Sequence, residues 1–530
     1  MSALAGLGPL LRLAWRRDRV LVPISVLAIT GSAVSGAQAT LALYPTSASM
    51  GEAVRAVVTN PAALALYGPV ADPTSPDAFA VYKMGTLGGV FLVLLGYALV
   101  RRHTRSEEDL GRLELLGAGV VGRRAPLAAA VILATAAVLV TCLLTLAGYV
   151  SIGMGVAGSA ASVAGWAAAA LAFVGVTAVT AQVSSTARGC AGLTLGVLGA
   201  SYLLRAVVDG NPSSPQWLIW LSPLGWAEQA QAFAANRTWV VLLGVAALVA
   251  GLLAAVVVLE NRDLGAGLIA TRTGAADASP SLSSALGLAW RQGRAGLVGW
   301  AVGFAVMGVV VGGLLQSATE MLSDPGIADM LAKMGGGTGS LIGVYLSTEF
   351  GFAAVVAAAF GVTVALRLRS QEAEGYAEQL LATRTTRLRY LASHTLVALL
   401  GVPILLGVMA LGIRLADSSG LTGGVGALLG AALARVPAAW VCVGIAAAAF
   451  AVAKHAAAAI AWGALSVFLL LGEFGALLGL PDSVITLSPF AHSPRLPLES
   501  FRALPVVLLV VVAAALVALA ATVWRRRDVG

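Results

Sequence analysis

The chain has 530 residues, 59% of them hydrophobic and only 11% charged, and a strongly positive mean hydropathy. Its apolar runs are repeatedly long enough to cross a hydrocarbon layer of about 30 Å, which excludes a soluble globular protein and predicts a polytopic membrane protein. The formal net charge of +8 is carried mainly by Arg and acquires its meaning only from where those residues fall.

In chain order, the first element is an amphipathic stretch, LGPLLRLAWRRDR, ending in Trp15, Arg16 and Arg17. Such a stretch suits the headgroup region, with indole at the interface and guanidinium toward anionic lipid. The apolar run and GAQA that follow imitate a secretory signal, but a twin of the leading segment in mid-chain makes a retained first span the expected reading. Predicted spans cover 20–41, 84–100, 127–150, 165–184, 189–207 and 238–260. A second set covers 297–316, 346–366, 392–413, 436–453, 457–479 and 504–524. The fold class is therefore an all-α polytopic membrane protein with twelve transmembrane helices arranged as two six-helix repeats.

With a cytoplasmic N-terminus, 24 of the 33 Lys and Arg lie in loops on the inner side and 6 in outer loops. The positive-inside rule then places both termini in the cytoplasm, so the basic balance is a topology signal and no nucleic-acid partner is implied. Cys142, Cys190 and Cys442 all lie within apolar runs and lack C-x-x-C spacing, which indicates neither a disulfide framework nor a metal site.

The halves echo each other at a near-constant offset. LGPLLRLAWRRDR returns as SSALGLAWRQGR, RSEEDLGRLELL as RSQEAEGYAEQLL, and LSPLGWAEQAQAF as LSPFAHSPRLPLE. The middle pair aligns Glu108 with Glu372, Gly111 with Gly375, Glu114 with Glu378 and Arg123 with Arg387. An even number of spans per half makes these parallel repeats. The semi-polar LSP segments before the last span of each half are expected as outer re-entrant hairpins.

Between Arg101 and Pro126 stand ten charges, six of them Arg, together with Glu107, Glu108, Asp109 and Glu114. At about 2.5 to 3.5 kcal/mol each, burying them in hydrocarbon would cost on the order of 25 to 35 kcal/mol, so the stretch is expected outside the bilayer. Ser106 with Asp109 has capping-box spacing, acids crowd the first turn, and Glu108 precedes Arg112 by four residues. These features predict one helix of about 12 residues, stopping at Gly117. A connector that only carried topology charge would need no acids, whereas a mixed-charge helix repeated in both halves suits docking to a soluble partner.

On these residues the chain resembles the permease subunits of bacterial ABC exporters, of the fused twelve-span antibiotic and multidrug efflux kind (polyketide-antibiotic exporters). The likeness rests on R-x-E-E-x-x-G-R-x-E-L-L with V-G-R at Arg105 to Arg123, on Gln371, Glu372, Gly375, Glu378, Leu380, Leu381, Ala382 and Thr383, and on the two LSP segments. It implies coupling helices at 105–117 and 369–382 that dock a separately encoded ATPase in two copies. Glu107, Glu108, Gly111, Arg112, Glu114, Glu372, Gly375 and Glu378 would then face that ATPase. Gln371 and Tyr376 depart from the pattern, which predicts two unequal grips. The domain layout becomes 1–262 with an interfacial helix at 2–19, a linker at 263–282, and 283–530 with an interfacial helix at 283–294.

No G-x-x-x-x-G-K-[ST] occurs, and none of Lys83, Lys333 and Lys454 follows a Gly. The chain is therefore expected to be a transport permease and not an enzyme, without a cofactor of its own, with ATP and Mg on the partner. The resemblance implies a small amphipathic, drug-like substrate exported across the bacterial cytoplasmic membrane. A proton-coupled transporter of the major facilitator type shares the span count, and GAGVVGRR at 117–124 approaches its loop signature but lacks the acid. Ionisable or polar groups within spans are the default substrate-pathway candidates: Gln182, Thr180, Arg205, Arg435 and Glu473.

Overall fold

The computed structural model describes residues 2–44, 47–58, 61–117, 119–210, 214–263, 265–269, 277, 279–322, 338–417, 420, 422–473 and 481–528. The chain separates into two compact units, 1–274 and 275–530. The protein is an all-α polytopic membrane protein. Among the described residues eleven helices are long and apolar enough to cross a membrane, and the only β feature is a bridge between Ser184 and Ile269.

Unit 1 runs α1 (Leu7–Asp18), α2 (Leu21–Leu43), α3 (Ser47–Val58), α4 (Pro61–Tyr67) and α5 (Pro76–His103). It continues with α6 (Arg105–Asp109), α7 (Arg112–Gly117), α8 (Ala125–Ser151), α9 (Val156–Val183), α10 (Ala187–Gly210), α11 (Gly225–Gln229) and α12 (Val241–Glu260). The core forms around α9, whose Ala- and Gly-rich sequence is buried along nearly its whole length against α5, α8 and α12. Without a hydrophobic drive between helices in lipid, close backbone approach supplies the packing. A Cβ on Gly251 of α12 would come within 2.8 Å of the Gly175 backbone of α9.

Unit 2 runs α13 (Ala285–Leu322), α14 (Thr338–Ala365), α15 (Arg367–Ala373), α16 (Tyr376–Leu381) and α17 (Arg387–Ala416). It closes with α18 (Val425–Ala434), α19 (Val436–Val452), α20 (Ala457–Glu473), α21 (Asp482–Ile485) and α22 (Ala503–Arg526). The buried, Ala-rich α19 takes the central place, packed on α14, α17, α20 and α22.

Several expectations change. The interfacial segment of unit 1 is a separate helix, because Pro23 in the first turn of α2 has no N–H to bond the Arg19 carbonyl, so a helix continuous with α1 would lose that bond. Its counterpart at 283–294 is no separate helix: Val298 stands near the place of Pro23, and α13 runs unbroken for 38 residues. The span predicted at 436–453 begins at Val425, interrupted only at Arg435, because Pro437 sits at the first turn of a resumed helix and reads as a start. The span predicted at 457–479 is a 17-residue helix, Ala457–Glu473, that adjoins residues 474–480 outside the described ones. Residues 264, 270–276 and 278 of the predicted linker lie outside them, as does Lys333.

Candidate functional site

The charged loop of unit 1 is an elbow made of two short helices. Gly111 between them has φ 68°, a left-handed conformation that glycine adopts without steric cost, and this replaces the single helix predicted. Ser106 does not cap. Thr104 is the N-cap residue, its hydroxyl donates to Val100 O at 2.6 Å, and the Asp109 carboxylate accepts from the Ala187 N–H that opens α10.

The Glu108–Arg112 pair does not form either. Glu108 accepts from Arg262 through both oxygens, at 2.7 and 2.8 Å, from the Gly265 N–H at 2.7 Å and from Arg105 at 3.0 Å. Arg262 lies two residues beyond the end of α12, and its side chain and that of Glu108 are only 5% and 4% exposed. Arg262 also donates to the Gln182 side-chain oxygen at 2.9 and 3.0 Å, and Arg123 donates to the Arg262 carbonyl. Glu107 pairs with Arg17 of α1 at 2.7 Å and with Arg112 at 3.4 Å. One elbow is thus stitched to the first helix and to the chain leaving the last span, and a cavity of about 380 Å³ bordered by Glu108, Arg123, Leu127, Gln182 and Arg262 opens behind it.

Unit 2 repeats the construction with altered parts. Gly375, at φ 78°, breaks α15 from α16. Glu372 pairs with Arg527 and, at 3.3 Å, with Lys454; Arg527 lies one residue beyond the end of α22 and packs over the Trp524 ring at 5.0 Å. Arg387 donates to the Arg527 carbonyl at 2.5 Å, just as Arg123 does to Arg262. At the position of Glu107, Gln371 donates to the Gln292 side-chain oxygen at 2.7 Å, and Gln292 stands at the place of Arg17.

The residues assigned to an ATPase face therefore divide. Glu107, Glu108 and Glu372 turn inward, with side chains 10%, 4% and 2% exposed, because each finds a guanidinium within its own unit. Arg112, Glu114 and Glu378 are exposed, as are Leu110, Leu115 and Tyr376, while Gly111 and Gly375 form the bends. Arg17, Arg262 and Arg527 escape sequence reasoning because Arg beside a span reads as a topology charge; the offset of 265 between Arg262 and Arg527 is the signal that would have found them.

The pathway candidates within unit 1 lie in two separate places. Gln182 belongs to the Arg262 network, and the Thr180 hydroxyl pairs with that of Thr194 at 2.7 Å inside unit 1. Arg205 is fully buried at the other end of unit 1, paired with Glu228 at 2.6 Å and Asp209 at 3.2 Å. In unit 2 Arg435 is 4% exposed and donates to Ser347 O at 2.9 Å and to its hydroxyl at 3.0 Å. Glu473 ends α20, and its side chain lies outside the described residues.

Two comparisons with known proteins bear on this arrangement. Residues 282–525 match the family model described as multidrug efflux system permease Rv1217c, C-terminal domain. Over 536 aligned positions the chain is 37% identical to the multidrug efflux system permease protein Rv1217c of Mycobacterium tuberculosis (strain ATCC 25618 / H37Rv), an alignment spanning 100% of this chain and 96% of that protein. A match of that extent, over both the elbow-bearing units, shows that the chain belongs to the Rv1217c family of multidrug efflux permeases.

Proposed function

We propose that this permease is the membrane-spanning part of an ATP-driven ABC exporter, working in the bacterial cytoplasmic membrane with both termini in the cytoplasm. A separately encoded ATPase, in two copies carrying ATP and Mg, docks on the two elbows, and amphipathic drug-like molecules leave through a route formed by the two six-span halves. The observation that carries the reading is the repeated elbow. Each presents exposed polar and apolar side chains outward, Leu110, Arg112, Glu114 and Leu115 in one and Glu374, Tyr376 and Glu378 in the other. Each also holds a buried Glu clasped to the Arg that follows the last span of its unit.

In mechanical terms, a push on an elbow reaches α12 through Glu108–Arg262 and α22 through Glu372–Arg527, with no flexible loop between. Desolvated, charge-assisted pairs suit that task because separating them exposes a buried charge. The Leu115 side chain is 79% exposed and that of Tyr376 53%, and neither helps to hold its elbow, so they are the residues through which docking is tested. The full chain is co-expressed with the ABC ATPase encoded beside its gene, as wild type, Leu115→Glu, Tyr376→Glu and the double variant. The expected outcome is co-purification with wild type, reduction in each single variant and loss in the double variant, all with unchanged gel-filtration profiles. An ATPase that never associates, or that holds equally to all four, contradicts the proposal.

A further inference from the structure

At the end of unit 1 remote from the elbow, three ionisable side chains are gathered out of water. Arg205 of α10 is 0% exposed, and the side chains of Asp209 and Glu228 are 3% and 7% exposed. Its two terminal nitrogens are engaged, with both carboxylates and, at 2.5 and 3.1 Å, with the Ala65 and Leu66 carbonyls at the end of α4, while the buried Nε has no hydrogen-bond partner; the group lies 4.7 Å from the Tyr202 ring. Glu228 is incompletely paired as well, although its first oxygen also accepts from the Thr86 hydroxyl at 2.9 Å. Two acids share one Arg, and the second oxygen of Glu228 receives no hydrogen bond although it is buried. With both acids ionised, one positive charge faces two negative ones, and an uncompensated buried charge is among the costliest features a fold can carry.

Glu228 also lines a cavity of about 50 Å³ whose wall includes the aromatic side chains of Tyr67, Tyr82 and Trp166. The Tyr67 and Tyr82 rings stand 5.5 Å apart, and the indole N–H of Trp166 is already donated to Gly85 O at 2.7 Å, which leaves the ring as a π surface. Aromatic faces grouped beside a carboxylate are the arrangement that attracts an organic cation. The volume admits a few water-sized groups, the scale of an ammonium centre and its attached carbons. Gly68 shows how tightly the site is built: its φ is 88°, and a Cβ there would stand 2.4 Å from a Glu228 oxygen. No counterpart exists at the matching place in unit 2, where Pro494 and Leu471 stand at the positions of Glu228 and Arg205.

We infer that this cavity binds the ammonium head of a cationic amphiphile, with the Glu228 carboxylate as counter-ion and Tyr67, Tyr82 and Trp166 as its cage. The inference rests on the efflux function of the family and not on docking of an ATPase, so it can fail or stand alone. The test uses the full-length chain in detergent without any ATPase. Titration with phenethylammonium and with the neutral isostere 2-phenylethanol, followed by calorimetry, is expected to give saturable binding of the amine only. Glu228→Gln, which keeps shape and removes the charge, is expected to weaken it at least tenfold, and Tyr82→Leu, which leaves the charge cluster intact, several-fold. Absence of saturable amine binding would show that a proton alone neutralises the cluster and would overturn the inference. So would equal binding of the alcohol by wild type, a result that needs no variant to fold.

Discussion

Glu108 and Glu372 bind the account together at the scale of single residues. Each is a carboxylate almost sealed from water that faces a guanidinium from the far end of its own unit. Removing one partner of such a pair leaves the other buried and unpaired, which costs on the order of 3 kcal/mol. Glu108→Ala is accordingly expected to lower the melting midpoint of the detergent-solubilised protein by several degrees, with the swap Glu108→Arg, Arg262→Glu recovering part of the loss. A single variant that melts like wild type would remove the pair from the account. The repeat also records matched exchange at this scale. Where unit 1 has Arg17 against Glu107, unit 2 has Gln292 against Gln371, an ionic contact replaced by an amide pair with both members changed together. The buried Asp18–His103 contact at 2.5 Å has its counterpart in Gly293 and Arg367, where the Arg donates to the Gln292 carbonyl instead. Gln371, the departure noted in the second repeat, thus lies in a neutral contact within unit 2.

Among the elements, the elbow separates what the sequence discloses from what it hides. That 105–117 is charged, helical and repeated at 369 follows from composition and spacing alone. That the helix bends at its central glycine does not, because Gly inside a helical pattern is an ordinary, mildly unfavourable residue and nothing local demands a left-handed turn. The direction of the acids was equally hidden, since their partners Arg262 and Arg527 are more than 150 residues away and look like topology charges. Likewise α13 absorbs its interfacial segment for want of a proline, and α18 lies before the Pro437 that reads as a start. The bend has a signed test. In a continuous helix Gly111→Ala would stabilise by up to about 1 kcal/mol. At φ 68°, with nothing within 4 Å of the new Cβ, it is expected to cost about 1 to 2 kcal/mol of backbone strain alone. A rise in melting midpoint for Gly111→Ala or Gly375→Ala would restore the straight helix, and a fall of a few degrees supports the elbow.

For the whole molecule, two units of similar size carry the same elbow and clasp, while among the described residues the buried Arg205–Glu228–Asp209 cluster belongs to unit 1. Such a division fits a transporter whose drive is applied twice and whose cargo is recognised unequally. Apolar length and charge placement made the helices legible at this scale, and the long-range pairs that turn helices into levers were not. Energy source is the point on which the account turns. The full permease and its ATPase, reconstituted in proteoliposomes and supplied with a fluorescent amphipathic amine, are predicted to move it only when ATP and Mg are present on the ATPase side, unaffected by collapse of the proton gradient. Movement by the permease alone, driven by a proton gradient and indifferent to ATP, would contradict it.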